Sequence, residues 1–181
     1  HQKFKDADLI VEDTFYVPRQ KQVQMENHSY IAQYDDRGRL TCWTSTQMPK
    51  LVQNLLAELF ELPLTRVRVI QTPIGGGFGC RLGMIGEPQV CAMAMAVPGV
   101  PVKIEYLREE DWVASESRAS GHFYVKAGFK KDGTPVACYG DYQVLKGGYY
   151  THGSGPPFCT AAFMHGMYKW QAMGMKAEIW F

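Results

Sequence analysis

The run Ile74-Gly75-Gly76-Gly77-Phe78-Gly79-Cys80-Arg81 constrains the fold of this chain more than any other segment. Four glycines in five residues cannot extend a strand or a helix cheaply, because glycine loses the most backbone freedom on ordering. The run follows Arg66-Val67-Arg68-Val69-Ile70, which reads as a strand. It precedes Gly86-Glu87-Pro88-Gln89-Val90-Cys91-Ala92-Met93-Ala94-Met95-Ala96, which reads as a helix. The chain must therefore turn from strand to helix here, with some residues at positive φ and several amides bare. An anion suits such a turn when the amides converge at a helix start. A tight turn plugged by Phe78 explains the same residues, and both readings stay open. A dinucleotide fingerprint starting at Gly75 needs glycine where Cys80 stands, and one starting at Gly77 needs it where Leu82 stands. The phosphate loop of nucleotide triphosphatases needs Gly-Lys-Ser/Thr, which is absent from the sequence.

A second junction precedes the loop. Leu40-Thr41-Cys42-Trp43-Thr44-Ser45-Thr46-Gln47-Met48-Pro49 leads from a β-rich stretch into residues 51–60, whose apolar pairs recur at a four-residue interval. That is a one-faced helix packing on a core, and Pro49 suits its first turn. Gln47 then sits at a strand–helix junction, its neutral amide able to donate and to accept. Residues 9–17 read as a strand, and residues 30–34 and 40–44 as a hairpin turning at Asp35-Asp36-Arg37-Gly38. Residues 101–106 alternate like a strand, and residues 123–129 and 136–144 flank Lys131-Asp132-Gly133 as a second hairpin. The order implies an α+β fold of mixed sheets with packed helices rather than a doubly wound sheet. Residues 147–157 are the most loop-like stretch, residues 158–167 have weak helical character, and residues 176–181 look extended. Met167, Met173 and Met175 suit a core or an interface.

Together these segments resemble the molybdenum-binding large subunit of the xanthine dehydrogenase and aldehyde oxidase family. The matching pieces are Met25-Glu26-Asn27-His28, Trp43-Thr44-Ser45-Thr46-Gln47, Val67-Arg68-Val69-Ile70 with Gly75-Gly76-Gly77-Phe78-Gly79, and Arg108-Glu109-Glu110-Asp111-Trp112. The resemblance implies a molybdopterin cofactor (the molybdenum cofactor) in a cleft of the large subunit. It implies that Gln47 hydrogen-bonds an oxygen ligand of molybdenum, and that Gly76, Gly77, Phe78 and Gly79 lie against the cofactor. It implies iron–sulfur clusters and FAD on other subunits or domains, a small-molecule substrate, and no direct metal ligand from this chain. The chemistry is compatible: a neutral amide supports a metal-bound oxygen without adding charge, and glycine amides suit an anionic group.

The departures are equally informative. Many members continue the loop with glycine, lysine and an acidic residue that helps to bind a purine; Cys80, Arg81 and Leu82 stand there instead. Leu82 is thus a candidate substrate-pocket residue that cannot accept a hydrogen bond. The family's catalytic base is a glutamate of a distal second half, so residues 1–181 read as a partial cofactor-binding domain, the first half, with no catalytic residue of its own. The remainder of the large subunit is then its first partner, and the chain alone is expected to be inactive. The alternative is a noncatalytic α+β assembly module whose glycine loop is only structural.

Composition sets the remaining bounds. The formal charge is +1, with basic residues scattered, which favours neither nucleic acid nor membrane. No apolar run approaches a bilayer span, and a cytoplasmic location is expected. Five cysteines (Cys42, Cys80, Cys91, Cys138, Cys159) without any Cys-x-x-Cys pair read as reduced, mostly buried thiols, with Cys80 filling a small space. His28 is expected to be structural, Glu26 solvated or hydrogen-bonded, and 108–111 a solvated, acid-rich helix start.

Overall fold

A computed structural model describes residues 2–148, 159, 162–163 and 166–181 of the chain. It divides into two compact units, residues 21–118 and residues 1–20 with 119–181.

The central unit is built on a four-stranded sheet in the order β4-β3-β2-β5. Strands β2 (Ser29–Tyr34) and β3 (Leu40–Thr44) form the expected antiparallel hairpin. Asp35 closes its turn by accepting the N–H groups of Arg37 and Arg39, with Gly38 at φ +72°. Helix α1 (Pro49–Leu59) then crosses to β4 (Val67–Gln71), which lies parallel to β3. A parallel neighbour requires such a crossover, and Pro49 occupies the first turn where no N–H is needed. Helix α2 (Glu87–Ala96) leads to β5 (Val102–Glu105), which pairs antiparallel with β2. Helix α3 (Arg108–Ala114) follows, its first turn tied by the Leu107 N–H donating to the Glu110 carboxylate at 2.7 Å.

The period-two alternation of the hairpin decides what is inside. Tyr30, Ala32, Leu40 and Cys42 point to one face, where Val52, Leu56 and Ala57 of α1 and Val90, Cys91 and Ala94 of α2 complete the core. Because the core fixes both helices against the same sheet, it also fixes the two connections that leave it: β3 to α1, and β4 to α2.

The second unit is a sheet in the order β1-β6-β7-β8. Strands β1 (Leu9–Val17), β6 (Ser120–Phe129) and β7 (Pro135–Leu145) pair antiparallel, and β8 (Ala172–Trp180) adds parallel to β7. Val136, Ala137, Cys138, Tyr142 and Val144 are buried along β7, whereas every residue of β1 is exposed. Met167, Met173 and Met175 are exposed, so the core placement for them does not hold. The loop-like reading of residues 147–157, from residue 149 on, and half of the helical reading of residues 158–167 lie outside the described residues.

Candidate cofactor-binding site

The glycine loop is a backbone turn with three residues at positive φ: Gly76 (+106°), Phe78 (+50°) and Gly79 (+93°). Phe78 is 64% exposed, which overturns its reading as a hydrophobic plug. The space inside the turn is taken by Cys80, buried, with its Sγ 3.4 Å from Gln24 Oε1. Burial pushes the Cys80 thiol up from its usual value, so it is a filler rather than a thiolate. The loop also does not run straight into a helix. Helix α2 begins only at Glu87, whose own carboxylate accepts the Ile85 N–H at 2.9 Å and the Thr44 hydroxyl at 2.8 Å. An anion seated on that helix start is therefore not what the loop offers; its amides face elsewhere.

They face Gln47. The Gln47 N–H donates to the Arg81 carbonyl at 2.8 Å. Its side-chain Oε1 accepts the Gly79 N–H at 3.0 Å and the Arg81 N–H at 3.4 Å. Two donors aimed at one atom fix the orientation of the amide, because the reverse would set donor against donor. The Nε2 group is left without an acceptor among the described residues, and so are the amides of Gly76, Gly77 and Phe78. Gly77 explains the packing: a Cβ there would sit 2.6 Å from both Cδ and Oε1 of Gln47. Glycine at 77 is needed for close approach, and glycine at 79 for its left-handed φ.

A third segment, residues 24–27, backs the loop. Glu26 N–H donates to the Gly75 carbonyl at 3.3 Å, and its carboxylate takes the Gly75 N–H in return. Arg108 donates to the carbonyls of Gln24 (2.9 Å) and Met25 (2.7 Å). Arg81 is buried and donates to the carbonyls of Glu26 (2.6 Å) and Asn27 (3.3 Å). Glu26 is thus a hydrogen-bonded carboxylate, as expected. Asp111 is not part of a solvated helix start: it is buried, 2.5 Å from His28 Nδ1, and accepts from Gln24 Nε2 at 3.2 Å. Burial holds the His28 imidazole below its usual value, against the hydrogen bond to Asp111 that pulls it up. The structural role of His28 holds. The network around it was invisible in the sequence because 24, 28, 81 and 111 are remote along the chain. Leu82 is half-buried, and its Cδ1 is the nearest atom to where a Gly79 Cβ would sit, at 4.0 Å.

Residues 1–181 match the pattern of the molybdopterin cofactor-binding domain along their whole length. The chain belongs to that family. Among its relatives, the probable hypoxanthine oxidase of Escherichia coli strain K12 is 37% identical over 82% of this chain. The nicotinate dehydrogenase large molybdopterin subunit of Eubacterium barkeri is 34% identical over 91%. Among solved structures, the aldehyde oxidoreductase of Desulfovibrio gigas superposes over 97% of the chain with a TM-score of 0.84 at 28% identity. The molybdopterin-binding domain described here spans 15%, 38% and 20% of those three proteins respectively. The α+β reading, with mixed sheets and packed helices, is the fold observed.

The residues present fit the cofactor of this family. Molybdopterin is anionic, through its dithiolene and phosphate, and asks for donors rather than acceptors. Three loop amides and the Gln47 Nε2 are donors without acceptors among the described residues, on a backbone that a side chain at Gly77 would displace. Among the described residues no group of three or more His, Cys, Asp or Glu is arranged to hold a metal ion, and no helix is long and apolar enough to cross a membrane.

Proposed function

We propose that this chain is the part of a molybdenum hydroxylase large subunit that holds molybdopterin through Gly76, Gly77, Phe78, Gly79 and Gln47. The observation that carries the reading is the divided Gln47 amide: its oxygen is consumed by loop N–H groups, and its Nε2, like three loop amides, is unspent among the described residues. When bound, the cofactor supplies the two-electron change for hydroxylating an electrophilic carbon of an aldehyde or N-heterocycle, with oxygen from water.

The chain's own residues bind and orient. The amides of Gly76, Gly77 and Phe78 donate to the anionic cofactor, and Gly77 and Gly79 keep the backbone close enough to do so. Gln47 Nε2 donates one oriented hydrogen bond without adding charge, its direction set by Gly79 and Arg81. Leu82 lines the substrate side with apolar surface. Proton transfer belongs to a glutamate of the second half of the large subunit, so no residue here is catalytic. The remaining partners are the iron–sulfur and FAD-bearing subunits or domains, and the setting is the cytoplasm. These activities and partners belong to the whole protein, of which the relatives' lengths make this chain a minor share.

The test is Gly77→Val in the full-length enzyme that carries this domain. Valine must push the Gln47 amide aside, so molybdenum and pterin per polypeptide are expected to fall while the thermal midpoint moves little. Full cofactor content would show the loop to be a turn only, and the noncatalytic assembly module would replace this reading.

A further inference from the structure

We propose that Arg81 is a positioning residue for the cofactor, registering the glycine loop against Gln47 through both its main chain and its buried guanidinium. The proposal rests on the placing of molybdopterin at this loop argued above.

The main chain of Arg81 grips the Gln47 segment from two sides. Its carbonyl accepts the Gln47 N–H at 2.8 Å and the Thr46 hydroxyl at 3.2 Å, and its N–H donates to Gln47 Oε1 at 3.4 Å. The side chain then reaches to the other two segments. Nη1 donates to the Ser45 hydroxyl and lies 3.4 Å from Glu26 Oε1. Nη2 donates to the carbonyls of Glu26 and Asn27 at 2.6 and 3.3 Å. Glu26 closes the circuit, its other carboxylate oxygen taking the Gly75 N–H at the start of the loop. Three segments that are remote in sequence, 26–27, 45–47 and 75–81, meet at one residue, Arg81.

The cost of this arrangement argues for its purpose. The Arg81 side chain is 1% exposed, and its Nε is buried without a partner among the described residues. A buried cation with an unpaired N–H is destabilising relative to an apolar side chain of similar volume. The fold alone does not call for it. What a planar fork adds is a fixed angular relation among its acceptors, which a lysine ammonium on a flexible stem does not reproduce. Here that relation sets where the Gln47 amide and the bare amides of Gly76, Gly77 and Phe78 stand relative to each other.

The experiment uses the full-length enzyme, comparing wild type with Arg81→Met, Arg81→Lys, Glu26→Gln and, as reference, Gly77→Val. The readouts are molybdenum and pterin per polypeptide, the thermal midpoint, and the paramagnetic resonance line shape of the reduced molybdenum in whatever fraction is loaded. Arg81→Met is expected to lower cofactor content about tenfold, the low end for loss of an outer-shell support. Arg81→Lys should restore the midpoint but neither the content nor the wild-type line shape, because it restores charge without the fork. Glu26→Gln should give a smaller loss in the same direction at an unchanged midpoint. Wild-type content and line shape in Arg81→Lys and Glu26→Gln would overturn the proposal, and these two variants decide it even where Arg81→Met does not fold. Should Gly77→Val lose its cofactor while the Arg81 and Glu26 variants keep theirs, only the positioning role falls. Should Gly77→Val keep it as well, the placing of the cofactor falls too.

Discussion

At the scale of single residues, the candidate site presents donors that no described residue uses. Gln47 is the clearest case, since one half of its amide is tied by Gly79 and Arg81 and the other half is open. Removing it as Gln47→Ala leaves the loop N–H groups of 79 and 81 without their acceptor and removes the outward donor. A lost buried hydrogen bond costs about 1–3 kcal/mol, so turnover of the full-length enzyme at matched molybdenum content should drop roughly 5- to 150-fold. An unchanged rate would remove Gln47 from the site. Gly79 tests backbone shape apart from contact. Among the described residues a Cβ there meets only Leu82, at 4.0 Å, but φ is +93°. Gly79→Val therefore pays in conformation, about 1–3 kcal/mol, and is expected to lose cofactor by distorting the turn rather than by filling it. If Gly79→Val kept both wild-type stability and wild-type cofactor content, the left-handed turn would be dispensable.

At the scale of elements, the hairpins and the crossover helix were legible because periodicity and turn chemistry speak locally. Alternation at Tyr30, Ala32, Leu40 and Cys42, the Asp35 to Gly38 turn, and the spacing of Val52 and Leu56 all report on neighbours within a few residues. What stayed hidden was the side-chain wiring between elements. Asp111 reads as one more acid in a charged helix start, yet it is the buried partner of His28 next to β2. Arg81 reads as a substitution for lysine and proves to be the junction of three segments. Phe78 reads as a plug and points outward, since a small buried Cys80 already fills the turn. This wiring gives α3 a pH-dependent hold. The His28 imidazole is held below its ordinary 6.5 by burial, so the unfolded chain takes up the proton first. The contribution is complete above that ordinary value and is lost as the pH falls below it through the folded value. The thermal midpoint should therefore drop as the pH falls from neutral to below the ordinary 6.5, and the slope should flatten in His28→Asn. An identical pH slope in both proteins would show that His28 does not titrate with unfolding. The core makes the larger demand: Leu56→Ala, at a fully buried position, should destabilise by about 2–5 kcal/mol, read from denaturant midpoints.

At the scale of the whole molecule, all residues of the candidate site fall within the central unit, residues 21–118, and the second sheet contributes none of them. The most specific motifs of the family resemblance, the Ser45-Thr46-Gln47 segment and the glycine loop, lie in that same unit, although the family match extends over residues 1–181. Substrate choice is less legible, and Leu82 is the residue proposed above to bear on it. It lies beside the loop, half-buried, at the position where the family resemblance leads us to expect an acidic residue in purine-binding members. Leucine offers no acceptor, and a polar ring edge desolvated against it without a partner costs about 1–3 kcal/mol on protein scales. The full-length enzyme is accordingly expected to favour an aromatic aldehyde or a simple heterocycle over xanthine in kcat/KM. Leu82→Glu should shift the ratio toward xanthine by roughly 5- to 150-fold, the same energy expressed as a rate. The comparison is kcat/KM for xanthine and for benzaldehyde on both proteins at matched molybdenum content. A strong preference for xanthine in the unmodified enzyme would mean that another segment supplies the carboxylate, and Leu82 would then be packing alone.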